Sequence, residues 1–159
     1  MGGPVDLAVV GFGPVGATLA GLAARAGLDV VAVDRETGLF PLPRAAHCDH
    51  EILRILQELG CADELAPTLR DNSGMDFLSA DREVLLSFRS PGISPNGWPA
   101  SVFFHQPTLD AAIRSAAVAA GAGTRLGVGV AAIADSADGV RVTLDDDSEF
   151  EARYAVGCD

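Results

Sequence analysis

The sequence predicts an α/β fold: a central, mainly parallel sheet with helices, followed by a β meander. Three stretches predict it. A β-branched run, "VDLAVV", stops at glycine and passes through "GFGPVG" into an apolar helical segment and a second buried-strand run, "DVVAVD". Later, "VGVAAIADSADGVRVTLDDDSEF" alternates strand and turn signals, the pattern of an antiparallel meander. The chain closes on "YAVGC", another apolar run suited to the parallel sheet.

The opening segment needs a decision first. No residue from Leu7 to Ala24 is charged, close to the roughly 20 apolar residues that a membrane-spanning helix requires. Its punctuation argues against a span. Gly11, Gly13, Pro14 and Gly16 fall where a helix would have to propagate. Asp6 and Asp34 flank the segment, and no Lys or Arg precedes it as a signal peptide would require. The segment therefore divides into a strand over Val5 to Val10 and a helix from about Pro14 to Ala26. Pro14 suits the first helical turn, and Gly27 suits the stop.

The turn between them has the spacing G-x-G-x-x-G. In a strand–turn–helix setting each glycine has a role. Gly11 permits the tight exit from the strand, Gly13 lets a pyrophosphate approach the backbone, and Gly16 lets the helix pack against the strand. The exposed N–H groups of the helix start, from Val15 onward, and the positive dipole end of the helix that Pro14 opens, hold the phosphates. Asp34 ends the second strand, where an acid accepts hydrogen bonds from an adenosine ribose. A negative charge there also disfavours a 2′-phosphate. This is a Rossmann-like dinucleotide-binding unit.

The middle of the chain reads in order. "TGLFPLPRAAHCDHEILRILQELG" runs from a turn into a helix with Asp49 as N-cap, Ile52, Ile55, Leu56 and Leu59 as its apolar stripe, and Gly60 as its stop. "CADELAPTL" gives a short helical turn, and "MDFLSADREVLLSF" a hairpin around "ADRE". "RSPGISPNGWPASV" is an irregular loop, in which Trp98 reads as an anchor. "FFHQPTLDAAIRSAAVAAG" gives a strand end, then a helix from about Pro107 that stops at Gly121; His105 reads as a packing residue. Asp138-Gly139 and the "DDDS" cluster mark the turns of the meander.

Composition removes several function classes. With 11 basic against 22 acidic residues and a net charge of −11, the chain has no basic patch for nucleic acid or an anionic membrane surface. Positive mean hydropathy and 159 residues suit one domain with a real core. Cys48, Cys61 and Cys158 form no C-x-x-C pair and read as reduced packing thiols of a cytoplasmic protein. His47, Cys48, Asp49 and His50 offer metal-ligand chemistry, but neighbouring positions at a helix start point in different directions, so no metal is expected. No nucleophile motif and no acid pair for hydrolysis is present, so no residue is assigned a catalytic role.

The stretches "VVGFGPVGATLA", "LPRAAHCDHEILRILQ", "GWPASVFFHQPTLDAAIR" and "YAVGCD" together resemble the FAD-binding region of the class A, single-component flavin aromatic hydroxylases, the para-hydroxybenzoate hydroxylase group. Within that group the chain most resembles the 3-(3-hydroxyphenyl)propionate hydroxylases. The resemblance implies FAD as cofactor, NADPH or NADH as co-substrate, and a phenolic substrate hydroxylated with oxygen. It places Gly11, Gly13, Gly16 and Asp34 at the adenosine-diphosphate site with Arg35 beside them. It places Arg44 near the flavin side, Gln106 on the flavin chain, and Asp159 as the acid of a G-x-D-G motif facing the cofactor. The family more often has Glu at the Asp34 position. Residues 1–159 correspond to the N-terminal portion of an FAD-binding domain, and the later G-D motif and the substrate-covering sheet are not among them. The expectation is that this polypeptide alone binds cofactor without hydroxylating anything, and that its exposed sheet edge favours association with a second copy. A nicotinamide-dependent dehydrogenase would share the first β-α-β unit but not "PRAAHCDHEILR".

Overall fold

The computed structural model describes residues 3–159. The first strand, β1 (Val5–Val10), leads into helix α1 (Pro14–Arg25) and strand β2 (Val30–Asp34). Pro14 occupies the first turn of α1, and Gly27 stands just past its end at φ +88°. Leu28 N closes that end by donating to Ala23 O at 3.1 Å.

A short strand, β3 (His47–Asp49), precedes helix α2 (His50–Leu59). The Asp49 carboxylate caps α2, accepting from Glu51 N and Ile52 N at 3.0 and 3.1 Å, and Gly60 ends it at φ +95°. One turn of helix α3 (Ala62–Leu65) and a 3-10 turn over Ala66–Thr68 follow. Strands β4 (Arg70–Asp71), β5 (Gly74–Leu78), β6 (Val84–Arg89) and β7 (Ser101–Phe103) lead to helix α4 (Gln106–Ala119). The last four strands are β8 (Gly123–Leu126), β9 (Val130–Ser136), β10 (Gly139–Leu144) and β11 (Glu149–Gly157).

The main sheet has the order β8-β2-β1-β11-β10-β9. Its first four strands run parallel, and the last three form the antiparallel meander. β11 belongs to both parts. Ala152 pairs with Val5 on one side and Val140 on the other, while residues 154–157 continue along β1 alone. β3, β7 and β4 form a small sheet, and β5 and β6 an isolated hairpin.

Strand alternation sets the two faces. Leu7, Val9, Val30 and Ala32 turn toward the helices and join Phe12, Ala17, Ala20, Leu53, Leu56, Leu59, Leu109 and Ile113 in the larger core. Ala8 and Val33 turn the other way and meet Val142, Leu144 and Ala152 of the meander. Small residues of α1 permit its close approach to its neighbours. At Gly21 a Cβ would lie 3.0 Å from the Ala117 Cα on α4.

Four sequence expectations change. The buried stripe of α2 is Leu53, Leu56 and Leu59, while Ile52 is 41% exposed. His47 and Cys48 lie in strand β3, ahead of the helix start that Asp49 caps. Strand β8, unmarked in the sequence, lines the outer edge of β2. His105 is exposed, its ring 2.9 Å from Thr108 Oγ1, so it does not pack. Trp98 is the expected anchor: it packs against the larger core, and its indole N–H donates to Gln57 Oε1 at 2.9 Å.

Candidate functional site

The parallel strands β1, β2 and β11 end at the same edge of the sheet, and their C-terminal ends line a groove of about 850 Å³. This is the crevice in which open α/β sheets bind ligands. Val10, Gly11, Gly13, Pro14 and Val15 form its floor. Asp34, Arg35, Glu36, Arg44, Asp145, Asp159 and residues 128–130 form its walls. Eight of the ten residues singled out from the sequence thus share one cavity wall.

The other two act from behind it. Gly16 faces the strand: a Cβ there would fall within the contact shell of the Gly11 carbonyl oxygen and lie 2.9 Å from the Gly11 carbonyl carbon. Gln106 is buried at 7% exposure. Its Oε1 accepts from Arg44 N and Ala45 N at 2.6 and 2.8 Å, so it fixes the segment that carries Arg44. The Arg44 guanidinium lies 4.8 Å from the centroid of the Phe40 ring.

The glycine loop fits a phosphate. Gly11 adopts φ +96°, with Asp159 N only 2.8 Å from where its Cβ would be. Gly13 has ordinary backbone angles, φ −73° and ψ −171°, yet among the described residues no atom beyond its chain neighbours lies within 4 Å of its Cβ position. Nothing in the fold itself requires glycine there; a ligand approaching the backbone would. Ala17 N donates to Gly13 O at 2.8 Å as the first intrahelical bond of α1, which leaves the N–H groups of Val15 and Gly16 without helical acceptors.

The Asp34 carboxylate organises the loop. Its Oδ2 accepts from Phe12 N at 2.8 Å and its Oδ1 from Glu36 N at 2.9 Å. Oδ1 retains one lone pair for a hydroxyl donor. The sequence reading missed the residue that joins this arrangement. Arg114, on α4, donates to Phe12 O at 2.6 Å and Gly38 O at 3.1 Å, and reaches Asp34 Oδ2 at 3.5 Å. The available signal was helical spacing, since Gln106, Asp110 and Arg114 fall at i, i+4 and i+8 on one face of α4. Asp110 lies between the other two. Its Oδ2 accepts from Gln106 Nε2 at 3.4 Å, and its Oδ1 is buried without a partner. Burial pushes its carboxyl pKa up, against the opposing pull of Gln106, Arg114 and Arg44.

The thiols are chemically quiet. Burial, with Asp49 adding to it, pushes the Cys48 thiol up to about 11. Burial also raises Cys158, at the groove, and Asp159 adds to the effect. Among the described residues no group of three or more His, Cys, Asp or Glu side chains is placed to hold a metal ion. No described helix is long and apolar enough to cross a membrane.

The chain is 38% identical over 162 residues to the probable NADH-specific resorcinol 4-hydroxylase of Rhodococcus jostii, a match covering 98% of this chain and 30% of the relative. It is 35% identical over 156 residues to a 3-(3-hydroxy-phenyl)propionate/3-hydroxycinnamic acid hydroxylase of Mycobacterium sp., covering 97% of this chain and 27% of the relative. The chain thus spans about three tenths of the length of these relatives. Among solved structures, p-nitrophenol 4-monooxygenase from Pseudomonas putida superposes with a TM-score of 0.86 at 20% identity, over 100% of this chain and 42% of that one. Aklavinone-11 hydroxylase, solved with FAD and aklavinone, gives 0.77 at 25% identity, over 100% of this chain and 33% of that one. The sequence pattern of one family, described as FAD binding domain, matches residues 4–159, and the chain belongs to that family.

Proposed function

We propose that this chain forms the adenosine-diphosphate half of the FAD site of a cytoplasmic, NADH- or NADPH-using monooxygenase that hydroxylates a phenolic aromatic acid. The observation that carries this is the open Cβ position of Gly13 at the mouth of a helix start, walled by Asp34 and the strand ends. The names of the relatives, hydroxylases of resorcinol and of hydroxyphenyl acids, support the substrate class.

Each residue has a part. The N–H groups of Gly13, Val15 and Gly16 face the pyrophosphate, assisted by the positive end of the α1 dipole. Pro14 presets the first turn without consuming a donor. The free lone pair of Asp34 Oδ1 accepts from a ribose hydroxyl. Arg35 and residues 128–130 wall the adenine end. Gln106 holds the backbone that presents Arg44 on the flavin side, and Asp159 closes the groove at the end of β11. When bound, FAD supplies the redox chemistry, passing reducing equivalents from the nicotinamide to oxygen. None of these side chains needs to act as an acid or base.

The test is a calorimetric titration of the purified chain with FAD and with NAD⁺. FAD is expected to bind the more tightly. Equal or tighter binding of NAD⁺ would favour a dehydrogenase and reject the proposal.

A further inference from the structure

A phosphate loop works only if its N–H groups point at the ligand, and here one peptide plane is set from outside the loop. The Phe12 carbonyl oxygen accepts a hydrogen bond from Arg114 Nε at 2.6 Å, while the Phe12 N–H is taken by Asp34. Both polar groups of Phe12 are therefore fixed, and its side chain is buried. The Phe12–Gly13 peptide is trans. In a planar trans peptide the C=O and the following N–H point in opposite directions. Holding the Phe12 oxygen toward α4 turns the Gly13 N–H away from α4, and Gly13 lines the groove. Among the described residues no acceptor takes the Gly13 N–H.

We propose that Arg114 is the positioning residue of the pyrophosphate site, aiming the Gly13 N–H into the groove and offsetting the charge of Asp34 beside it. This rests on the reading of the groove as part of an FAD site. A guanidinium suits the task. Its planar fork reaches acceptors on three separate segments at once: Phe12 in the loop, Gly38 beyond β2, and Asp34 at the end of β2. The Phe12 ring lies 5.2 Å from the guanidinium carbon and confines it further. The Arg114 and Asp34 side chains are only 16% and 15% exposed, so solvent screens their interaction weakly. Without Arg114, a pyrophosphate would approach a carboxylate that lacks its counter-charge, along a loop whose first donor is free to turn.

The experiment follows backbone amides of the ¹⁵N-labelled chain by NMR during titration with ADP, for wild type, Arg114→Ala and Arg114→Lys. In wild type the Gly13, Val15 and Gly16 signals should all move. In Arg114→Ala, ADP affinity should fall about tenfold or more, as expected for losing charge-assisted bonds. The Gly13 response should collapse, while Val15 and Gly16, oriented by α1 itself, still respond. Arg114→Lys keeps the charge but not the fork, and should retain part of the Gly13 response. Unchanged affinity and an unchanged Gly13 shift would overturn the proposal, and so would an equal loss at all three amides, the mark of a merely structural role. If Arg114→Ala does not fold, the Lys variant decides by the same two criteria. If the wild-type signals ignore ADP, the FAD reading itself falls.

Discussion

Replacing Gly13 by Ala separates what the fold needs from what the ligand needs. Gly13 sits at the N-cap of α1 with φ −73° and ψ −171°, angles any residue adopts, and among the described residues no atom beyond its chain neighbours lies within 4 Å of its Cβ position. The folded chain should accept the methyl group. Exchanging Gly for Ala lowers unfolded-state entropy, worth about 0.4–1 kcal/mol in favour of the variant. Ala is the poorer N-cap, which costs a few tenths of a kcal/mol or somewhat more. The net change in stability should therefore lie within about 0.5 kcal/mol of zero, as for exposed sites generally. The cofactor meets a different surface. A methyl in the space of a bound pyrophosphate resembles overpacking, at about 1–3 kcal/mol, or roughly fivefold to a hundredfold in affinity. Urea unfolding gives the first quantity, and calorimetry with FAD the second. Unchanged FAD affinity would show that Gly13 is not the phosphate cradle. A stability loss above about 2 kcal/mol would show that the Cβ position is not open.

Gly16→Ala should do the reverse first. Its methyl would press on the Gly11 carbonyl, so α1 must shift, costing about 1–3 kcal/mol and lowering Tm by roughly 2–12 °C in scanning calorimetry; an unchanged Tm would reject the close-packing account. The pKa of Asp110 is raised by burial. Its contribution to stability is therefore fully present below the unfolded carboxylate pKa and lost as pH rises through the folded one. Asp110→Asn removes that dependence, so its Tm should improve relative to wild type as pH rises from about 4, and parallel Tm curves would contradict the assignment. Cys48, pushed up to about 11, should carry on the order of a hundredfold less thiolate than an unperturbed thiol at pH 7.5. A rapid one-equivalent burst with a disulfide reagent, traced to Cys48 by peptide mapping, would argue otherwise.

The β-α-β unit was legible because its glycines and Pro14 act locally. A tight turn, a first helical turn and a stop are each set by one residue's own backbone. The same holds for α2, bounded by Asp49 and Gly60. What escaped reading depends on distant partners. β3 is only three residues long, and β8 is exposed throughout. They become strands only because β7 and the edge of β2 offer free backbone groups. In α2, stripes beginning at Ile52 or at Leu53 both fit a 3.6-residue period over ten residues. The choice is made by α1, where Gly21 leaves room for Leu59. The glycine loop and Asp34 were singled out by type and spacing, and Arg44 by the family resemblance, since its spacing alone reads as a solvated charge. Arg114 was not, because a single arginine among alanines reads as a solvated charge until the fold brings Phe12, Gly38 and Asp34 around it.

The place of β11 also governs how this domain comes into being. β1 is made well before β11, yet one of its two edges is filled by residues 152–157, and the Asp6–Arg153 ion pair ties the same two strands together. At roughly 5–20 residues per second, synthesis of the intervening stretch lasts on the order of ten seconds. Throughout that time the edge of a β-branched, apolar strand has no native neighbour. Loop closure over such a separation is slow, and an open apolar edge invites foreign strands. The groove, bounded by the end of that same strand, can close only once β11 has docked. Pulse-labelled hydrogen exchange should accordingly find the amides of β1 and the Gly11–Gly16 loop among the latest to gain protection, well after those of α2.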